Sequence, residues 1–420
     1  SSDRTESVWV GAQLDARRSP LHLSMRSVVA RSLRQPSRLL SSCCPKPAAV
    51  RTDWTREEIA AIYRLPFTEL LHQASTVHRQ HFDPLEVQKC TLLSIKTGGC
   101  NEDCKYCAQS TRYKTFVKPE PLMSVDAVTE AARRAKAAGS TRFCMGTAWR
   151  EMGNKKGAFG KILKMVEEVN GMGLEVCCTL GMLSETQAME LKRAGLTAYN
   201  HNLDTSREHY PNVITTRSYD DRLQTIANVR KAGISVCCGG ILGLGESEED
   251  RVGLLYELAT MPEHPESVPI NALVPIEGTP MMEGGGAPDV FQMARTIATA
   301  RVVMPASMVR LSAGRMSFSP LEQAVMFLAG ANSIFTGDKL LTTANPAFDE
   351  DMLMFESLGL KGKQPFSHLR SVSPEKAKHT APPTRSLPTL RGTCSGHSSQ
   401  VSAPPSEPPQ RIAQQSAASA

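Results

Sequence analysis

Between about Asp53 and Lys361, eight short runs of apolar and β-branched residues alternate with longer stretches of helical period. No other feature of the chain constrains its fold as tightly. A strand followed by a helix, repeated, lays parallel strands into one sheet with helices outside it. The runs are Thr91–Lys96, Arg142–Met145, Glu175–Thr179, Ala198–His201, Ile234–Cys238, Ser267–Leu273, Met308–Leu311 and Asn332–Phe335. Eight repeats close such a sheet on itself, so the predicted fold class is α/β, a (βα)8 TIM-type barrel. The helices are punctuated where this scheme needs them. Ser124 can cap a helix that stops at Gly139, Ser184 with Gln187 forms a capping box for one that stops at Gly195, and a helix from Tyr219 stops at Gly233. A helical stretch from about Thr55 to His78 precedes the first strand as an N-terminal extension and is predicted to cover the bottom of the barrel.

The ends of the chain read differently. From Met25 the sequence is rich in Arg and Ser, and the run from Arg17 to Arg51 contains no Asp or Glu. Arginines at 26, 31, 34 and 38 with apolar residues between them would make a basic amphipathic helix, the composition of an organelle transit peptide. The arginine content favours a mitochondrial address over a chloroplast one; the alternative is an ordinary basic tail without structure. After about Gly362 the chain is rich in Pro, Ser and Ala and cannot bury enough apolar surface to fold. The expected organisation is therefore a transit segment over 1–52, one barrel domain over 53–361 and a disordered tail over 362–420. No uninterrupted apolar stretch reaches the roughly 18 residues of a membrane span, and the net charge of +6 is too small and too localised to argue for nucleic acid. A soluble protein is expected. Twelve cysteines in so long a chain, clustered at strand-like positions, point to metal ligation in a reducing compartment rather than to disulfides. Cys43, Cys44 and Cys394 lie in the ends and are not expected to be ligands.

Barrels of this kind carry their active sites at the C-terminal ends of the strands, and the unusual residues fall there. A cysteine loop follows the first run, Cys144 is on the second, Cys177-Cys178 end the third, and Tyr199-Asn-His-Asn-Leu-Asp-Thr ends the fourth. Cys237-Cys238 end the fifth, Asn271 lies on the sixth, Arg310 on the seventh, and Thr342-Thr343 follow the eighth. One buried cysteine is commonplace as a small hydrophobe; three strands carrying cysteine at one level suggest a metal centre. Adjacent strand residues point to opposite faces, so only one member of each doublet can look into the barrel. Spacing alone does not say which.

The loop itself reads Thr97-Gly-Gly-Cys-Asn-Glu-Asp-Cys-Lys-Tyr-Cys, with Cys100, Cys104 and Cys107 spaced C-x-x-x-C-x-x-C. Three thiolates can hold three corners of a cubane iron–sulfur cluster and leave one iron open, whereas a fully protein-ligated cluster takes four. Three ligands do not close a structural zinc shell, so a partial zinc site is the weaker reading.

This spacing is the signature of radical S-adenosylmethionine enzymes, and the chain as a whole resembles the biotin synthase family over roughly Trp54 to Leu360. The blocks that carry the resemblance are Thr91-Leu-Leu-Ser-Ile-Lys-Thr-Gly-Gly-Cys, Arg142-Phe-Cys-Met-Gly, Tyr199-Asn-His-Asn-Leu-Asp-Thr-Ser, Ser267-Val-Pro-Ile-Asn and Val309-Arg-Leu-Ser-Ala-Gly-Arg. Carried over, the resemblance implies a 4Fe–4S cluster on Cys100, Cys104 and Cys107, whose open iron chelates S-adenosylmethionine. It implies a deeper 2Fe–2S cluster on Cys144, Cys177, Cys237 and Arg310, and so selects the first cysteine of each doublet. An arginine ligand is odd, because a guanidinium normally stays protonated; the alternative is that Arg310 only neutralises cluster charge, with Arg142 as a nearby counter-charge. Tyr106, Thr147, Asn202, Asp204 and Ile241 match cofactor-side positions, the last in the glycine-rich run Gly239–Glu246 read as backbone approach to adenine. That run lacks the Lys-Ser/Thr of a phosphate loop. Asn200, Asn271, Thr342 and Thr343 match positions on the side of the substrate, dethiobiotin; for Asn271 a buried turn residue is the plainer alternative.

The implied reaction is sulfur insertion at unactivated carbons, which acid–base groups cannot accomplish. Reduced 4Fe–4S would cleave S-adenosylmethionine to a 5'-deoxyadenosyl radical that takes hydrogen from dethiobiotin, and sulfur from 2Fe–2S would trap the carbon. The resemblance also implies a mitochondrial matrix location, a homodimer, an electron donor and iron–sulfur assembly proteins as partners, with neither nucleic acid nor membrane. The rivals are a lipoyl-synthase-like sulfur transferase, whose extra N-terminal cysteine motif is absent here, and a non-catalytic iron–sulfur or structural zinc protein.

Overall fold

A computed structural model of the chain describes residues 50–366 apart from 338, 346 and 347, and at 348 and 349 the backbone alone. The segment around Met25, Cys43, Cys44, Cys394 and the tail beyond 366 lie outside the described residues. In chain order the elements are α1 (Arg56–Tyr63), α2 (Phe67–His81), β1 (Glu86–Lys96), α3 (Val125–Ala137), β2 (Arg142–Thr147), α4 (Lys156–Gly171), β3 (Glu175–Thr179), α5 (Glu185–Arg193), β4 (Ala198–Asn200), α6 (Tyr210–Val213), α7 (Tyr219–Lys231), β5 (Ser235–Cys237) and β6 (Gly240–Leu242). There follow α8 (Glu248–Ala259), β7 (Ser267–Ala272), α9 (Met281–Gly284), α10 (Val290–Val303), β8 (Met308–Leu311), a short 3-10 turn (Arg315–Ser317), α11 (Pro320–Leu328), β9 (Ser333–Thr336), α12 (Phe348–Leu358) and β10 (Lys361–Gly362).

The strands pair in parallel in the order β1-β2-β3-β4-β5-β7-β8-β9, and β9 returns to β1, with Gln88 opposite Ser333. The barrel closes as predicted from the eight runs. Its helices start where a side chain can take over an orphan backbone N–H: Ser124 accepts from Ala127, and capping boxes built on Ser184, Ser218, Ser247, Asp289 and Ser319 open α5, α7, α8, α10 and α11. Each such cap stabilises its helix by about 1 kcal/mol.

Three features depart from the sequence reading. The fifth run is interrupted at Cys238-Gly239 and resumes as β6, opposite Pro269 of β7. Proline has no N–H to give a ladder, and a Cβ on Gly239 would stand 2.0 Å from the Pro269 carbonyl oxygen, so the two strands meet there without regular pairing. The N-terminal extension is two helices rather than one, broken at Pro66. It does not cap the bottom of the barrel: α1 packs on α8 and α10, and α2 on α10 and α11. Ion pairs from Arg56 to Glu208 and from Arg64 to Glu248 and Glu249 tie it to the outer face. Finally, the chain stays attached past Gly362: Lys363 N–H donates to Val87 at 2.9 Å and Phe366 N–H to Glu175 at 2.9 Å.

The outward side chains of the strands, among them Phe143, Met145, Val176, Cys178, Val236, Cys238 and Ile270, join the helices in the main apolar core. The inward set is different. Cys90, Cys144, Cys177, Ala198, Cys237, Phe335 and Leu340 form a separate small cluster inside the barrel. Barrels usually fill this layer with bulky branched residues; here small, sulfur-bearing side chains and one arginine occupy it, and space remains above them. Among the described residues no helix is long and apolar enough to cross a membrane.

Candidate active site

The space is an open cavity of about 330 Å³ at the C-terminal mouth. It is lined by Cys104, Tyr106 and Cys107 from the loop after β1, by Cys144 and Cys177 from β2 and β3, by Asn200 at the end of β4 with Asn202 and Asp204 beyond it, and by Ile241, Asn271 and Arg310. Leu340, Leu341, Thr342 and Thr343 complete the rim.

The cysteine loop is fixed by its own backbone and by a neighbour. Cys100 N–H donates to Gln109 at 3.0 Å and Thr111 N–H returns to Cys100 at 2.8 Å, while Cys107 N–H closes a turn on Cys104 at 3.0 Å. Asp103 accepts from the Thr215 and Thr216 N–H groups at 2.9 and 3.1 Å. Burial works to raise its carboxyl, but these bonds and those from both threonine hydroxyls outweigh it and hold Asp103 at about 2. Glu102, buried beside it, pairs with Arg150 at 3.2 Å. The thiols have no comparable support: burial above all pushes Cys100 and Cys104 upward, and Cys107 to about 11. Burial thus disfavours free thiolates here, and coordination to a metal would supply what draws the proton off.

Asp204 sits in the left-handed region at φ 69°, which turns its carboxylate back toward the loop. Its Oδ2 accepts from the Tyr106 hydroxyl at 2.8 Å and pairs with Arg222 at 2.6 Å. Gly239 N–H donates to Asn202 Oδ1 at 3.2 Å. The glycines predicted to admit adenine admit protein backbone: a Cβ at Gly240 would lie 2.7 Å from the Asp204 carbonyl oxygen and 2.3 Å from Leu254. Ile241 reaches the cavity wall. Thr147 does not; its hydroxyl donates to the Thr179 carbonyl at 3.4 Å at the end of β2.

Deeper in, the doublets resolve by register. Cys144 is opposite Cys177, and Asn200 opposite Cys237, so Cys177 and Cys237 face inward while Cys178 and Cys238 face the helices. Arg310 lies among the inward thiols, with Nη1 3.7 Å from Cys237 Sγ and Nη2 3.3 Å from Cys90 Sγ. Its only oxygen acceptor among the described residues is the Ser333 hydroxyl at 3.0 Å, and its guanidinium stacks over Phe335. Arg301, equally buried, shows what a satisfied arginine looks like: it donates to the carbonyls of Gly330, Pro305 and Ser307 and to Asn332. A buried guanidinium with neither a carboxylate nor a set of carbonyl oxygens around it needs another anion. The thiols supply part of one. A hydrogen bond with Cys177 and the charges of Arg310 and Arg142 outweigh burial and lower Cys237 to about 7, while Cys144 and Cys177 stand at about 12. Arg142 is held by Glu175 at 2.7 Å, yet its Nη1 has no hydrogen-bond partner among the described residues.

These observations fit an anionic iron–sulfur group in each place. The inner layer holds thiols, an arginine without a carboxylate and an orphaned N–H; the outer loop holds three thiols. Among the described residues no three of His, Cys, Asp and Glu converge on a single ion. Cluster ligands need not, since each cysteine of a cubane takes a different iron and a two-iron cluster divides its ligands between its irons.

On the remaining walls, Asn200 donates to Thr179 at 3.1 Å. Asn271 donates to the Gly240 carbonyl at 2.8 Å and accepts from Ala313 N–H at 3.1 Å, which leaves one N–H and one lone pair for a ligand and makes it a clamp between strand ends. The loop carrying Thr342 and Thr343 crosses the mouth to β2, where a Cβ on Gly146 would meet Leu341 at 2.6 Å. Sequence reasoning missed Arg217 and Arg222, which line the cavity from α7 and the turn before it, and Cys90; helical arginines and a mid-strand cysteine carry no local signal of a site.

Comparison with known proteins shows the family. Residues 94–258 match the Radical SAM superfamily, and residues 269–361 the Biotin and Thiamin Synthesis associated domain. The chain is 64% identical over 315 residues to the mitochondrial biotin synthase of Arabidopsis thaliana, covering 75% of this chain and 83% of that one. It is 54% identical to the biotin synthase of Schizosaccharomyces pombe, covering 85% and 98%, and 53% identical to the mitochondrial biotin synthase of Emericella nidulans, covering 80% and 88%. Solved structures of methylornithine synthase and of the FeFe-hydrogenase maturase HydG superpose with TM-scores of 0.64 and 0.65 at 17% and 16% identity, each over 76% of this chain and over 96% and 74% of theirs. At that identity they share the fold alone.

Proposed function

We infer the roles of the site residues from one premise: the chain belongs to the biotin synthase family of radical S-adenosylmethionine enzymes. It is an enzyme that inserts sulfur into dethiobiotin to make biotin, with S-adenosylmethionine, a 4Fe–4S and a 2Fe–2S cluster as cofactors. When bound, these groups supply the reducing electron, the hydrogen-abstracting radical and the sulfur, none of which a side chain can provide.

Cys100, Cys104 and Cys107 would hold the outer cluster, and Cys144, Cys177 and Cys237, with Arg310 at the fourth position, the inner one. What supports this is that Cys104, Cys107, Cys144, Cys177 and Arg310 line one cavity. Tyr106, Asn202, Asp204 and Ile241 form the cofactor wall. Arg222 orients the Asp204 carboxylate and neutralises its burial, so that it can accept from ribose hydroxyls. Thr147 shapes the end of β2 rather than touching the cofactor. Asn200, Asn271, Thr342 and Thr343 take the ureido ring and carboxylate of dethiobiotin, and the loop over the mouth excludes water from the radical step.

The barrel domain is assigned to 53–361, with a transit segment before it and a tail after it. Mitochondrial relatives and the acid-free arginine run around Met25 support mitochondrial targeting; a matrix location, a homodimer, an electron donor and iron–sulfur assembly proteins complete the reading. The test is anaerobic turnover of dethiobiotin by the reconstituted chain with S-adenosylmethionine and a reductant. Biotin with 5'-deoxyadenosine supports the assignment. Deoxyadenosine formation that survives replacement of Cys100, Cys104 or Cys107 by Ala overturns it.

A further inference from the structure

One inward thiol has no role in the assignment above. Cys90 is fully buried in β1, opposite Arg142 of β2 and Phe335 of β9, and it shares the small interior cluster with Cys144, Cys177 and Cys237. Its Sγ lies 3.8 Å from the Ser333 hydroxyl, the same hydroxyl that Arg310 reaches. Its Sγ is also the nearer of the two sulfurs that Arg310 reaches, at 3.3 Å against 3.7 Å for Cys237. The guanidinium therefore bridges two thiols rather than addressing one.

Coordination chemistry ranks these two neighbours. A guanidinium can bind iron only after giving up a proton that it holds very tightly. A thiol gives up its proton on binding metal as a matter of course, and a fully protein-ligated two-iron cluster takes four thiolates. With Cys90, the inward cysteines number four.

We propose that Cys90 is a fourth ligand-competent thiol of the inner cluster site, placed by the barrel interior beside Arg310 so that it can take the coordination position next to it. Arg310 then donates hydrogen bonds to bound sulfur and supplies the counter-charge its burial requires. In such an exchange the Cys90 S–H bond would break and an iron–sulfur bond form as the ligand already at that position is displaced; the proton would go to the displaced ligand or to solvent water, and no electron is transferred. The inference rests on the assignment of Cys144, Cys177 and Cys237 to that cluster.

The full chain and its Arg310→Met, Cys90→Ala and Cys90→Ala/Arg310→Met variants are reconstituted anaerobically with iron and sulfide. Inner-cluster iron, acid-labile sulfide and the iron–sulfur stretching bands are then measured, and circular dichroism checks the fold. Each single variant should retain the inner cluster, with Arg310→Met shifted toward an all-thiolate spectrum. The double variant should lose inner-cluster iron at least fivefold, and Cys90→Ser/Arg310→Met, which keeps a small polar group in the interior, should behave the same way. Equal inner iron in Arg310→Met and in both double variants would overturn the role of Cys90. Retention of the inner cluster in Cys144→Ala would instead remove the assignment on which the inference stands.

Discussion

Replacing Glu175 by Gln tests how the inner layer is held together. Arg142 and Glu175 are 3% and 1% exposed, so solvent screens their interaction very little. The Glu175 carboxylate accepts on Oε2 from Gln88 at 3.1 Å and from Arg142 at 2.9 and 2.7 Å, and on Oε1 from Phe366 N–H at 2.9 Å. An amide keeps the shape but offers one oxygen, so at least one of these donors would face an NH2 group. Removing one member of a buried ion pair costs about 3–5 kcal/mol, because the partner charge stays buried. At about 1.5 °C per kcal/mol for a domain of about 310 residues, Glu175→Gln should melt about 5–8 °C below the parent protein. The assay is thermal unfolding of the iron-free chain under nitrogen, followed by far-ultraviolet circular dichroism and repeated after cluster reconstitution. The loaded protein should show the smaller shift, since an anionic inner cluster gives Arg142 a second counter-charge. A shift below about 2 °C in the iron-free protein, or a larger shift in the loaded one, would refute the reasoning.

Other consequences are as concrete. Gly240→Ala should destabilise the fold by about 1–3 kcal/mol, because its Cβ would meet the Asp204 carbonyl oxygen at 2.7 Å and Leu254 at 2.3 Å; chemical denaturation measures the loss and S-adenosylmethionine binding should weaken with it. Asp103 is held at about 2 against an ordinary 3.8, so its bonds stabilise the cysteine loop fully above 3.8 and are lost as pH falls toward 2. Acid unfolding of Asp103→Asn should lack that component, whereas an unchanged acid limb would show that the loop is held otherwise. Cys178→Ala and Cys238→Ala should leave both clusters assembled while Cys177→Ala and Cys237→Ala lose the two-iron absorption; the reverse pattern would mean that the register inside the barrel is wrong.

The barrel was legible because most strand runs follow a helix that stops at a glycine, as at Gly139, Gly195 and Gly233, and because eight repeats have one economical closure. The break at Cys238-Gly239 was not, since the disruption comes from Pro269 on a neighbouring strand. The path of α1 and α2 was hidden for a related reason: apolar periodicity tells that a helix has a buried face but not which partner buries it. In the site, Cys100, Cys104 and Cys107 could be read from spacing alone, because one loop carries all three. Which member of each doublet faces inward needed the register, and Cys90 needed the distance to Arg310. The Asn271 side chain shows the opposite limit: a polar residue at a strand end does not tell how much of its bonding capacity joins β6 to the turn after β8 and how much is left for a ligand.

On the proposed assignment one cavity is served by two clusters with separate duties, the outer cysteines for cleavage of S-adenosylmethionine and the inner ones for sulfur. The most direct test is a single anaerobic turnover, with no added sulfide, of a Cys144→Ala/Cys177→Ala/Cys237→Ala variant whose outer cluster is intact by spectroscopy. The account predicts 5'-deoxyadenosine from S-adenosylmethionine and no biotin from dethiobiotin. Biotin in the amount made by the parent chain would contradict it.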